Sequence, residues 1–276
     1  MAFSSTYFML EQEGFITSSC ITTGLTALHT AHSYEDFKGR FYVAFFQLAI
    51  GIERTAKLCL ILDHMTKHNL SSPGKTAIKG YGHDINHLFD KISQVGGERG
   101  DAFKKNFQLT GVQKDILDFL SEFARSTRYA NIDGLATGIP GKEPLARWQE
   151  ILDELININF SAKKKKEILK QSSAIADCIG SHAVVIAHDL KNQPLSLGET
   201  LANHKLLDRA AGFAVWEVCQ IIRPIVELIN RLFWEARKIS IQKSIDQNIV
   251  DIPHMDEFYL FLNEDLKSTL RKKRWP

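Results

Sequence analysis

Apolar positions recur at three- and four-residue spacing along most of the chain, the period of an amphipathic helix. The pattern is strongest in KGRFYVAFFQLAIGIERTAKLCLILDHMTKH, where Phe41, Phe45, Leu48, Ile52, Ala56 and Cys59 fall on one face and Tyr42, Phe46 and Ile50 on an adjacent stripe. A helix that is apolar over most of its circumference must be contacted on several sides. The spacing therefore predicts a helix over 38–67 that forms the spine of a bundle. Its polar line is confined to Gln47, Arg54 and the Glu53–Lys57 pair, which has the favourable i, i+4 order.

The same period predicts the other elements. Residues 18–30 read as a helix weakened by its threonines and Gly24. Pro73, Gly74 and Gly80 break the spine, and a short helix follows with Ile85, Leu88, Phe89 and Ile92 inward and Gly96-Gly97 as its stop. Val112, Ile116, Phe119, Leu120 and Phe123 define a further helix that ends near Arg128. Beyond it, helices are expected over 144–156, 161–179, 199–239 and 256–272, with Pro224 kinking or splitting the longest. Only QKSIDQNIVDI carries a weak strand alternation. The fold class is thus all-α. The run DGLATGIPGKEPL, with three glycines and two prolines, is the best boundary candidate and divides the chain near residue 140 into a bundle (1–140) and a C-terminal helical region (141–276), separate or packed on the same core.

Composition narrows the class without naming an activity. The chain has 276 residues, of which 44% are hydrophobic and 24% charged, an ordinary globular balance, and the net charge of +2 is too small to imply a nucleic-acid partner by itself. The first residues carry no cationic region ahead of an apolar stretch, so no export signal is expected, and the apolar run from Phe41 to Ile52 is too short for a membrane span. Cys20, Cys59, Cys178 and Cys219 lie far apart among apolar residues without C-x-x-C pairing. Buried reduced thiols and a cytoplasmic location are expected.

FFQLAIGIERTAKLCLIL, YGHDINHLFDKI, ARSTRYANID and PLARWQEI, between residue 38 and about 150, resemble the HEPN superfamily (higher eukaryotes and prokaryotes nucleotide-binding domain). The resemblance implies a bundle of four or five helices, here followed by additional long helices, that often dimerises. Many members are metal-independent RNases of bacterial defence or toxin–antitoxin systems, cutting with an Arg followed after four to six residues by His. That motif is absent here. Asn131 follows Arg125 at this spacing, with Ser-Thr-Arg-Tyr-Ala between them.

The absence matters chemically. Attack by a 2′-hydroxyl needs a group that exchanges a proton near neutral pH, which histidine does and asparagine does not. Arg125 and Arg128 are candidate phosphate holders through their planar donor forks, with Asn131 orienting the phosphate. His83 and His87, four residues apart, are expected to share a helical face and supply the missing base, unless Asp84 and its neighbours serve only to start a helix. The blander reading of the arginines is pairing with Asp118, Glu122 or Asp133 at a helix C-terminus.

Two further patterns compete. His83-Asp84, with His64 or His68 and Asp133, nominally meets the needs of a metal-dependent HD-type phosphohydrolase, although His188-Asp189 shows how readily the dipeptide arises. Lys163, Lys164, Lys165 and Lys166, and the terminal Arg271–Trp275, are either nucleic-acid backbone contacts or a solvated face and a frayed tail. The leading expectation is a HEPN-like protein that binds RNA or a nucleotide around His83, Arg125, Arg128 and Asn131, as an atypical RNase without metal or cofactor. The alternative is a catalytically silent module that forms a homodimer or docks a cognate protein.

Overall fold

The structure is a computed structural model that describes residues 2–33, 37–139, 141–182, 185–247, 249–250 and 252–276. The fold is all-α. Helix α1 spans Ser5–Thr30 and, after a 3-10 turn, α2 spans Phe37–Lys67; α3 (Gly74–Gly80), α4 (Ile85–Gly97), α5 (Asp101–Asn106) and α6 (Gly111–Arg125) follow. A 3-10 turn over Thr127–Tyr129 leads to α7 (Ala130–Thr137), α8 (Pro144–Asn159), α9 (Ala162–Ile179) and α10 (Leu197–Gln247), and a 3-10 segment at Asp256–Asn263 precedes α11 (Leu266–Thr269). Among the described residues, four two-residue strands pair in twos: β1 (Ala2–Phe3) runs parallel to β4 (Ile249–Val250), and β2 (Ala187–His188) is antiparallel to β3 (Pro194–Leu195).

Helix α2 is the spine that the apolar pattern predicts, packing against α1, α4, α6 and α10. Its closest neighbour is α1, and glycine sets that distance. A Cβ at Gly24 would lie 2.7 Å from Leu48 Cγ, and one at Gly51 would lie 2.7 Å from Ile21 Cγ1. The residues that lower intrinsic helix propensity in α1 therefore serve its packing. Thr17 also returns its hydroxyl to the Glu13 and Gly14 carbonyls and meets Tyr259 Oη at 2.7 Å. The helix begins at Ser5, well before the expected residue 18, because Ser4 caps it by accepting from the Tyr7 N–H.

One expectation is narrowed and two are corrected. Of the two outcomes expected at Pro224, a split does not occur, since α10 continues through it. The missing backbone donor costs roughly 3 kcal/mol, and the fully buried neighbours Ile221, Ile222, Ile225 and Leu228 offset it. The last segment is not one helix over 256–272. Tyr259 departs from helical dihedrals, and extended Asp265 caps the separate turn α11. The tail is seated: the Trp275 N–H donates to Thr26 Oγ1 at 2.9 Å and its ring packs on Phe261 and Lys272. The weak strand pattern yields only β4, with Asn248 and Asp251 outside the described residues. Pro140, where the chain was divided, also lies outside them. Buried apolar side chains from Leu10 to Trp275 form one contiguous cluster.

Among the cysteines, Cys59 and Cys219 are buried, and burial pushes the Cys219 thiol up to about 12. Cys20 is half-buried, and Cys178 is exposed, unlike the expectation. No helix among the described residues is long and apolar enough to cross a membrane.

Candidate functional site

Of the polar line of α2, Glu53 borders a cavity of about 340 Å³, whereas Arg54 pairs with Glu13 of α1. Phe46, Ala49, Ile50 and Glu53 come from α2, Phe123, Ala124 and Arg125 from the end of α6, Arg128 from the 3-10 turn after it, and His83 from the loop before α4. The floor is largely aromatic. Phe123 is fully buried, with its ring 5.0 Å from Phe46 and 5.4 Å from Phe45, and Phe45 in turn packs on Phe119 and Trp148. The rim carries two guanidinium groups, one imidazole and one carboxylate.

Local backbone signals deliver each of these groups. Gly82, at φ +69°, turns the chain into the loop that holds His83, and Asp84 then caps α4 by accepting from the His87 N–H at 3.2 Å. Helix α6 starts with a capping box in which Thr110 and Gln113 exchange side-chain and backbone hydrogen bonds. It stops at Arg125, because Ser126 leaves the helical region, and Arg128 falls in the next turn.

The polar groups around the cavity are held in two separate sets. His83 Nδ1 lies 2.9 Å from Glu53 Oε1, which also accepts from Lys57 Nζ at 2.8 Å. Arg125 Nη1 lies 2.9 Å from Asp84 Oδ2, while Asp84 Oδ1 accepts from the Ser121 hydroxyl at 2.9 Å. Burial pushes the Asp84 carboxyl up, but the hydrogen bonds from the His87 N–H and the Ser121 hydroxyl, the Arg125 charge and the Asn86 N–H outweigh it and hold it below the usual carboxylate range. The Arg128 guanidinium rests 4.8 Å from the Tyr129 ring centroid. Arg125 thus has an acidic partner, though it is Asp84 rather than Asp118, Glu122 or Asp133.

Other candidates lie elsewhere. His87 and His83 share no helical face, since His83 precedes the N-cap and the exposed His87 sits in the first turn of α4, outside the cavity. Asn131, on α7, donates to Tyr42 Oη at 3.3 Å and lines a different cavity with Leu135 and Glu143. Lys163, Lys164, Lys165 and Lys166 occupy the first two turns of α9, where Lys164 pairs with Glu167 and Lys165 donates to Asn157. None of the four lines the His83 cavity. His64 and His68 stack on each other at 3.9 Å, and among the described residues no three His, Cys, Asp or Glu side chains are grouped to hold a metal, so the HD-type set is not assembled.

Glu53 and the aromatic floor are the parts of this cavity that the candidate site residues above did not include. Glu53 was marked by the short polar line on an otherwise apolar helix, and Phe46 and Ile50 by the apolar stripe beside its core face. The chain matches no protein-family model, no curated protein and no solved structure.

Proposed function

We propose that the chain binds RNA or a nucleotide in the His83–Arg125–Arg128 cavity and acts as an atypical metal-independent endoribonuclease, in keeping with its HEPN-like sequence pattern. One observation carries this reading: two neighbouring guanidinium groups and an imidazole distant from them in sequence border a single cavity whose floor is aromatic and apolar. A nucleic-acid strand needs both halves of that arrangement, since phosphates are held by guanidinium forks and unstacked bases rest on aromatic or apolar surfaces. In this reading Arg125 and Arg128 hold the phosphate, Phe46 and Ile50 support a base, and His83 takes the proton of the attacking 2′-hydroxyl. Asn131 and His87 have no part in it.

The test is cleavage of labelled single-stranded RNA in the presence of a chelator. The wild-type chain is expected to leave 2′,3′-cyclic phosphate ends, and an Arg125→Ala/Arg128→Ala variant to bind roughly 10-fold or more weakly, the scale of losing charge-assisted hydrogen bonds. Equal binding by the two proteins, with no cleavage by either, ends the proposal.

A second reading, a silent module that dimerises or docks a partner, is favoured by α7. None of its residues is buried, and Ile132 and Leu135 are exposed, with Ile139 just beyond. A Leu135→Glu substitution that changes the mass seen by light scattering supports this reading. A monomer in both forms opposes the dimeric version.

A further inference from the structure

The Glu53–Lys57 pair has the form of an ordinary i, i+4 surface pair, yet its carboxylate is mostly buried and also engages a residue from another element. Glu53 and Lys57 side chains are each 17% exposed, whereas His83 is 79% exposed. A mostly buried group on the spine thus holds an exposed one on a loop. The chemistry of that contact fixes a proton. An ionised carboxylate only accepts hydrogen bonds, so the hydrogen between His83 Nδ1 and Glu53 Oε1 sits on Nδ1. In the neutral ring the lone pair must then reside on Nε2.

We infer that Glu53 is a positioning residue: it selects the His83 tautomer whose basic nitrogen is Nε2 and fixes the ring at the edge of the cavity, with Lys57 holding the carboxylate in place. The inference rests on the RNase reading above. In the step it serves, Nε2 takes the proton of the 2′-hydroxyl as that oxygen bonds to phosphorus. The bond from phosphorus to the 5′-oxygen breaks, the departing oxygen takes a proton from water, and the imidazolium returns its own to solvent. No oxidation state changes and no further reactant is needed. The consecutive helical positions Ile52 and Glu53 show the division of labour on α2, one fully buried in the core and the next at the cavity.

The experiment compares wild type with Glu53→Ala, Glu53→Gln and Arg125→Ala/Arg128→Ala, each checked for an unchanged melting transition, using one labelled single-stranded RNA. Glu53→Ala is expected to lower kcat roughly 10- to 100-fold, less than the roughly 100- to 10,000-fold supplied by a placed general base because His83 itself remains, with KM unchanged and the pH profile displaced. Glu53→Gln keeps an acceptor oxygen and should recover part of the loss. Nitrogen-15 spectra of the neutral imidazole should show the proton of His83 on Nδ1 in the wild type and a mixture of tautomers in Glu53→Ala. A wild-type kcat and pH profile in Glu53→Ala, or a wild-type proton on Nε2, overturns the inference alone. Absence of cleavage by the wild type overturns it together with the RNase reading.

Discussion

Asp84 and Arg125 join the start of α4 to the end of α6 through a 2.9 Å ion pair, and the same carboxylate caps α4. One of the two arginines that border the cavity is therefore held by the residue that begins the neighbouring helix. Replacing Asp84 with Ala removes the cap, the Ser121 hydrogen bond and the Arg125 partner together. The expected cost is about 1–2 kcal/mol, the scale of a lost N-cap, read from urea unfolding. The Asp84 carboxyl is held below its usual value, so its contribution is present above the unfolded pKa near ~3.9 and is lost as pH falls further through the lowered folded value. The wild-type advantage over Asp84→Ala should thus be constant from neutral pH to about 5 and shrink only in strong acid.

A second pH effect has its origin far from the cavity. His29 is buried, and neither ring nitrogen makes a well-formed hydrogen bond; Gly212 of α10 lies against it. Burial, helped by the charges of His32 and Lys273, lowers its pKa against the opposing pull of Asp208. Burial likewise lowers His32, although its contact with Asp208 and the Asp208 charge resist, and the neighbouring His204 ring and Lys273 favour the neutral form. Because the unfolded chain binds these protons more readily, stability is complete above about pH 6.5 and declines as pH falls below it. Melting temperature measured from pH 8 to 5 should fall over the lower half of that range, and His29→Leu should flatten the decline.

The α1–α2 contact offers a sharper test of packing. Gly24→Ala puts its methyl 2.7 Å from Leu48 Cγ and 3.0 Å from the Leu48 backbone nitrogen, which cannot rotate away. A loss of about 1–3 kcal/mol is expected from overpacking, whereas Gly39→Ala, with nothing within 4 Å, should be neutral or slightly stabilising through helix propensity.

On the RNA-binding reading proposed above, Phe46 and Phe123 separate ligand binding from stability. Phe46 is 36% exposed, so Phe46→Ala should leave unfolding little changed while weakening RNA by roughly 10-fold, as loss of a stacking surface does. Phe123 is fully buried, and Phe123→Ala should cost about 3–5 kcal/mol of stability. Filter binding and urea titration of the same two variants distinguish the roles.

Much of the fold is legible in the sequence because core-facing residues of α2, α4, α6 and α8 repeat at the helical period regardless of what packs on them. The first half of α1 is not, since its inner positions include Gly14 and Thr17, whose fit depends on Phe258 and Tyr259 from the far end of the chain. The final segment misleads in the opposite way, with an apolar spacing that suits a helix although Asp265 adopts an extended backbone. At the cavity, the residue types at His83, Arg125 and Arg128 were visible, whereas their adjacency depends on how α4 and α6 lie against α2. Asn131 shared the spacing of Arg125, but the break at Ser126 sends it to Tyr42 instead.

The continuity of α10 bears on how the chain reaches this state. The hairpin of α1 and α2 lies close in sequence and can form as soon as it is made, but the flanks of both helices are covered by α10, which begins at Leu197. During synthesis those flanks stay bare until well over a hundred further residues have been added, and closure then joins segments of wide separation. The spine is thus among the earliest elements to form and the last to be fully enclosed, so refolding should be slow for an all-helical protein and sensitive to aggregation in that interval.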